Sequence, residues 1–180
     1  MDGTEDRNIM GSIIKVNEYK DFGNNDIMTS DGAGVVTPNA AGLKNTPAFY
    51  VTQTTAQAIA NNTNTTLTFG TTSFDTDSAM SSTTFTVPSG AAGKYFFHAA
   101  YRVDTTTNSS RLACDIKVNG SSISSYNIQN DDEDSSTASG YADLSVGDAV
   151  TVQAYQSTGG SVNTKNTTNT VFGGHKLIGA

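Results

Sequence analysis

The sequence predicts an all-β protein, and three observations carry that prediction. Apolar residues make up only 36% of the 180 and charged residues 15%, and Thr, Ser, Asn and Gly dominate the remainder. Thr favours strands, while Asn and Gly favour turns. From Pro47 onward, short alternating segments recur at regular spacing between turn residues, which is the signature of a sandwich or barrel. No helical heptad, collagen triplet run or repeat of solenoid period competes with this reading. The length suits one domain with an appendage, and such a chain can hide roughly 70% of its unfolded surface.

Residues 1–46 read differently from the rest. SIIKVNEY (Ser12–Tyr19) alternates, and the following DFGNNDIMTSDGAGVVTPNAAG is rich in Gly and Asn with weak apolar pairs. The expectation is an extended arm with one or two short strands, in which Ile13, Ile14 and Val16 dock on a partner surface. A floppy leader is the alternative.

The remaining residues, 47–180, form the expected head. AFYVTQ (Ala48–Gln53), TLTFG (Thr66–Gly70) and TTFTVP (Thr83–Pro88) are its first strands, followed by GKYFFHAAYRVD (Gly93–Asp104). RLACDIKV (Arg111–Val118) alternates strictly, with Leu112, Cys114, Ile116 and Val118 on one face, so its sheet should be covered on one side. Asn119-Gly120 is the dipeptide of tight hairpins, and SISSYNIQ (Ser122–Gln129) is the return strand. ASGYADLSV and AVTVQAYQ (Ala149–Gln156) flank the turn Val146-Gly147-Asp148 and are expected to form another hairpin. TVFGGHKLIG (Thr170–Gly179) is the last strand.

The Gly93–Asp104 segment is the most informative. At a period of two, Tyr95, Phe97, Ala99, Tyr101 and Val103 share one face, which is expected to fill the core. The other face begins apolar with Phe96, His98 and Ala100 and ends with Arg102 and Asp104, emerging toward water. Burying the Phe96 side chain contributes roughly 1.5–3 kcal/mol before ordering costs. A second subunit is the favoured cover for it; a loop or the arm is the alternative.

A net charge of −7 argues against nucleic acid and acidic membranes as partners, since both need a positive footprint. No apolar run approaches the ~20 residues that span a bilayer. The first residues, MDGTEDRNIMGS, lack the basic and apolar regions of a secretory signal, and the single Cys114 excludes an internal disulfide framework. Synthesis in a reducing cytoplasm is the expectation.

The arrangement of Phe69, Asp75, Phe85, Gly93, Tyr95 and Phe97 resembles the signature of the complement component 1q globular head, a family related to the tumour necrosis factor fold. Ala99 stands in place of the final aromatic of that pattern, and Met80 where an aromatic or Leu is usual. Ser139-Gly140, Leu144, Gly147-Asp148 and Val150 look like the family's hairpin before its penultimate strand, and Phe172-x-Gly174-x-x-Leu177 like its closing strand. The resemblance covers residues 47–180. It implies a ten-strand jelly-roll sandwich assembling as a homotrimer, with the first, last and Gly-x-Tyr-x-Phe strands lining the three-fold axis. On that basis Phe96, His98, Ala100 and Phe172 are the trimer-interface candidates. Members of the family mostly bind or serve as structural tips, so no enzyme is expected.

No catalytic set, cofactor site or metal site is legible. His98 and His175 lie on strands that the resemblance makes neighbours, but no Cys or carboxylate stands at ligand spacing, and satisfied or interfacial histidines are expected. Cys114, on an apolar face, reads as an inert thiol. Asp131–Asp134 is the densest charge run. Some complement-type heads bind calcium, but this run lacks EF-hand spacing and reads as a solvated loop. Five Asn-x-Ser/Thr matches are expected by chance in so Thr-rich a chain. Neither a phosphate-binding loop nor a nucleophile elbow is present.

Trimeric heads of this kind occur in phage and other viral appendages. The acidic Thr/Ser/Asn-rich body and the strand-forming arm lean toward that setting by analogy. The expected role is a phage decoration, fibre or appendage protein on the virion surface, made in the host cytoplasm. Its arm would meet a capsid or tail protein, and its head a host surface glycan or protein. The alternative is a cellular extracellular recognition or lectin-like module.

Overall fold

The alternation of Gly93–Asp104 is realised as a ten-residue strand, Gly93–Arg102, whose inward residues Tyr95, Phe97, Ala99 and Tyr101 are all fully buried, as is Val103 just beyond it. The computed structural model describes residues 18–39, 43–104, 111–128, 134–165 and 167–178, and every regular element among these is a β-strand. The chain divides into two units, Met1–Ala40 and Ala41–Ala180.

In the first unit, β1 (Glu18–Lys20), β2 (Asp26–Ser30) and β3 (Val36–Pro38) pair antiparallel in the order β1-β2-β3. Against the one or two strands expected here, three are present because two Asx-stabilised turns reverse the chain. The Asp21 carboxylate accepts from the N–H groups of Gly23 (2.8 Å) and Asn25 (2.9 Å), with Asn24 left-handed at φ 64°. The Asp31 carboxylate accepts from Ala33 (2.7 Å) and Val35 (3.1 Å) in the same manner. Tyr19, Phe22, Val35 and Val36 are exposed. Ile13, Ile14 and Val16, the expected docking residues, lie outside the described residues.

The second unit is a two-layer sandwich of two five-stranded sheets, matching the ten-strand expectation. Its strands are β4 (Ala48–Gln53), β5 (Ala58–Ile59), β6 (Thr65–Thr66), β7 (Thr71–Asp75), β8 (Thr84–Thr86), β9 (Gly93–Arg102), β10 (Leu112–Val118), β11 (Ser121–Ile128), β12 (Ser135–Leu144), β13 (Ala149–Gln156), β14 (Val162–Asn163) and β15 (Thr167–Lys176). One sheet has the order β12-β9-β15-β4-β7. The other has the order β11-β10-β13-β6, with β8 also pairing with β13. The short pair β14-β5 stands apart from both.

Aromatic side chains from both sheets meet between the layers. Phe49 stacks on Phe85 with centroids 4.8 Å apart and meets Phe172 edge-on at 4.9 Å, while Tyr95 stacks on Phe97 at 5.8 Å. The two buried phenols are satisfied by backbone carbonyls: Tyr95 donates to Ala91 and Tyr101 to Tyr155, each at 2.6 Å. The Asp75 carboxylate closes the turn after β7 by accepting from the N–H groups of Ala79 (3.0 Å) and Met80 (2.8 Å). Met80 itself bridges to Phe85 and packs on the core.

The structure departs from the sequence pattern at several places. Of Thr66–Gly70, only Thr66 belongs to a regular strand. Leu67 and Phe69 are buried, but the Leu67 N–H bonds to Val152 and the Phe69 N–H to Ser82, so no single partner continues the ladder. The segments around Val146-Gly147-Asp148 do not form a hairpin: β12 pairs with β9 in one sheet and β13 with β10 in the other. Leu144 and Val150, buried on either side of the turn, carry the chain across the core between layers. The Asn119-Gly120 hairpin is present as expected, with φ 49° and 83°, and joins β10 to β11. On β10, Leu112, Cys114 and Ile116 are buried as expected, while Ala113 on the opposite face is also buried.

Candidate functional site

The face that the β12-β9-β15-β4-β7 sheet turns away from the core is built from alternate residues of each strand. β4 contributes Tyr50 between the buried Phe49 and Val51, and β9 contributes Phe96, His98 and Ala100 between buried partners. Register then fixes the neighbours: Tyr141 and His175 both stand opposite Phe96, and Gly173 stands opposite both His98 and Tyr50. Phe74, on the edge strand β7, lies opposite Tyr50.

The rings of this face form two groups. Phe96 lies 5.1 Å from the Tyr141 ring and 5.8 Å from His175, and Tyr50 stacks on Phe74 at 6.4 Å. Tyr141 is nevertheless 69% exposed and Phe74 51%. Of two successive glycines, Gly173 shapes this surface and Gly174 the core beneath it. A Cβ on Gly173 would stand 3.0 Å from the Tyr50 ring, and one on Gly174 would stand 2.4 Å from the Phe97 ring in the core. Each ring therefore packs closely on the backbone of β15, Tyr50 on the outer face and Phe97 in the core. On the outer face a groove of about 400 Å³ opens, lined by Tyr50, Phe74, Phe96, His98 and His175 among others.

Of the four interface candidates, Phe96 and Ala100 are half-buried on this face and His98 is exposed on it. Phe172 is not on it. This side chain is fully buried in the core against Phe49, Phe69 and Phe97, because its register partner is the inward-facing Ala99. Tyr50, Phe74 and Tyr141 belong to the surface, although the sequence does not single them out as contact residues, and His175, expected to be satisfied or interfacial, lies on it beside Phe96. TTSFD (Thr71–Asp75) holds one apolar residue and shows no alternation, so the strand bearing Phe74 has no visible signal.

The histidines' strands, β9 and β15, are neighbours, and both rings line the groove. Among the described residues, no three His, Cys, Asp or Glu side chains converge to hold a metal. Cys114 is free and buried; burial, aided by the neighbouring Asp115, pushes its thiol up to about 12, which keeps it protonated and unreactive. Of the Asp131–Asp134 run, only Asp134 is described, and its carboxylate pairs with the Arg102 Nε at 2.5 Å. Arg102 therefore ends the strand in an ion pair, while Asp104 is exposed and lies 3.8 Å from the Lys165 ammonium.

A family model described as the C1q domain matches residues 48–177. Among solved structures, the globular domain of the zebrafish complement 1qA protein is 20% identical with a TM-score of 0.51, covering 73% of this chain and 97% of that one. Murine APRIL at pH 8.0 is 13% identical with a TM-score of 0.55, covering 72% and 98%. The Eiger TNF of S. frugiperda is 12% identical with a TM-score of 0.52, covering 74% and 93%. At such identities the likeness to these structures is one of fold. No curated protein sequence matches the chain.

Proposed function

We propose, from the premise that this chain belongs to the C1q domain family, that its head works as a homotrimeric binding or structural module and not as an enzyme. The observation that carries the proposal is the apolar outer face of the β12-β9-β15-β4-β7 sheet. A solvated sheet alternates apolar and polar faces. Here Tyr50, Phe74, Phe96 and Tyr141 form one patch on the side that water would otherwise cover. Such patches mark contact surfaces, and a second and third copy of the chain are the occupants that the family resemblance implies. Phe96, His98 and Ala100 then lie in the contact, with no metal or cofactor needed.

Light scattering on the full chain tests this directly. The expected mass is three times the 18.8 kDa of one chain. A single-chain mass at micromolar concentration would overturn the assembly.

The narrower form of the reading places the trimer on a virus particle as a phage decoration, fibre or appendage protein. In it, residues 1–46 dock through Ile13, Ile14 and Val16 on a capsid or tail protein, and the head meets a host surface glycan or protein. Its supports are the acidic, Thr/Ser/Asn-rich composition and the separate three-stranded N-terminal unit. Three linked weak contacts attach far more tightly than one. A cellular extracellular recognition module is the second reading, favoured by the complement and TNF-type structures that share the fold. Mass spectrometry of purified particles separates the two, since only the first places the chain there.

A further inference from the structure

The chain has two histidines, and both line the same groove. That groove lies on the face proposed as the subunit contact, and any role for the pair in assembly rests on that reading. His98 on β9 stands between Phe96 and Ala100 along the face, opposite Ser139 on β12 and Gly173 on β15. His175 on β15 stands opposite Ala48 on β4 and Phe96 on β9. Among the described residues, no carboxylate, ammonium or guanidinium lines the groove, and its one other titratable group is the Tyr50 phenol.

The charged groups of this face stand toward its two ends. Lys94 lies opposite Asp143 at one, and Arg102 pairs with Asp134 at the other. From β4 the face receives Ala48, Tyr50 and Thr52, and from β7 Phe74; the Asp75 carboxylate of β7 is turned onto the N–H groups of Ala79 and Met80. Among the described residues, neither imidazole therefore has an anion facing it from any strand of the sheet.

An imidazole buried among aromatic rings is tolerated when neutral, but a charge buried without a partner opposes the contact that buries it. Histidine is the side chain that ordinarily changes charge between about pH 8 and pH 5. We propose that protonation of His98 and His175 releases the trimer, so that the head is assembled near neutrality and dissociates in mild acid. Separated chains take up protons that the trimer excludes, so association weakens as pH falls and recovers as it rises. Three copies bring two imidazoles each, and every excluded proton contributes up to about tenfold in the association constant per pH unit. The dependence is therefore steep.

The test is the mass of the full chain by sedimentation at about pH 8 and about pH 5, alongside the double variant His98→Gln, His175→Gln. The wild type should have the three-chain mass at the higher pH and the one-chain mass at the lower. The double variant should keep the three-chain mass at both. A wild type that stays trimeric in acid overturns the switch and leaves the assembly standing; a double variant that dissociates in acid like the wild type does the same. A wild type that is monomeric at the higher pH overturns the assembly itself, and the switch with it. Should the double substitution prevent assembly, His98→Gln alone should halve the steepness of the pH dependence, and unchanged steepness refutes the proposal.

Discussion

The two sheets of the head each bury one face in the shared core, yet their outer faces differ in kind. On the β11-β10-β13-β6 sheet, the outward side chains satisfy one another. The Arg111 guanidinium lies 4.9 Å from the centre of the Tyr155 ring and donates to the Asn127 amide oxygen at 2.9 and 2.7 Å, and Lys117 lies 3.7 Å from Asp115. On the β12-β9-β15-β4-β7 sheet, the outward side chains at the centre are rings with no charge among them. Both sheets obey the same alternation inward, so the difference outward reflects what each face meets: water for one and, on our reading, other copies of the chain for the other.

The largest effect should come from the core that both sheets share. Phe49→Ala removes a ring that touches Phe85, Phe97 and Phe172 and should cost about 3–5 kcal/mol of unfolding free energy. Denaturant titration would read it, and Cys114 should label with thiol reagents only as that unfolding proceeds. A loss below about 1 kcal/mol would mean that the ring does not bridge the layers.

Next come paired substitutions on the two outer faces. Phe96→Asp should abolish the three-chain mass while leaving the far-ultraviolet circular dichroism unchanged, because it puts an unpaired charge in the proposed contact. Arg111→Ala should leave the mass unchanged and cost no more than about 1 kcal/mol in stability, since its hydrogen bonds to Asn127 are exposed to water. If both variants remain trimeric, the contrast between the faces has nothing to do with assembly.

Smaller still is the hairpin between β10 and β11. Gly120→Ala places a Cβ in open space but holds it at φ 83°, so it should cost about 1 kcal/mol from backbone strain alone. The smallest effect concerns the corner that carries the chain from one sheet to the other. A hydrogen bond from Asn119 and another from the Ser145 N–H hold the Asp148 carboxyl below its ordinary range. A carboxyl depressed in the fold stabilises it above the unfolded titration range and ceases to do so as pH falls below about 4. Asp148→Asn should thus be slightly less stable than wild type near neutrality, and the two should converge in acid, as read by thermal midpoints.

The sequence alone determined the strands whose faces carry contrasting side chains. Gly93–Asp104, Ala48–Gln53 and Ala149–Gln156 fall where alternation places them, and Asn119-Gly120 turns where its dipeptide demands. Alternation works there because each side chain reports its own face. Where residues carry no such report, only tertiary pairing decided. Phe172 is followed by two glycines, which belong equally to either face, and only its pairing with Ala99 shows that it points inward. The Gly147-Asp148 turn has hairpin chemistry, but the chain crosses between layers there because Leu144 and Val150 both bury in one core. The apolar patch is the furthest from legible. Tyr50, Phe74, Phe96, Tyr141 and His175 lie on five strands scattered from residue 50 to residue 175, and nothing but strand order and register brings them together.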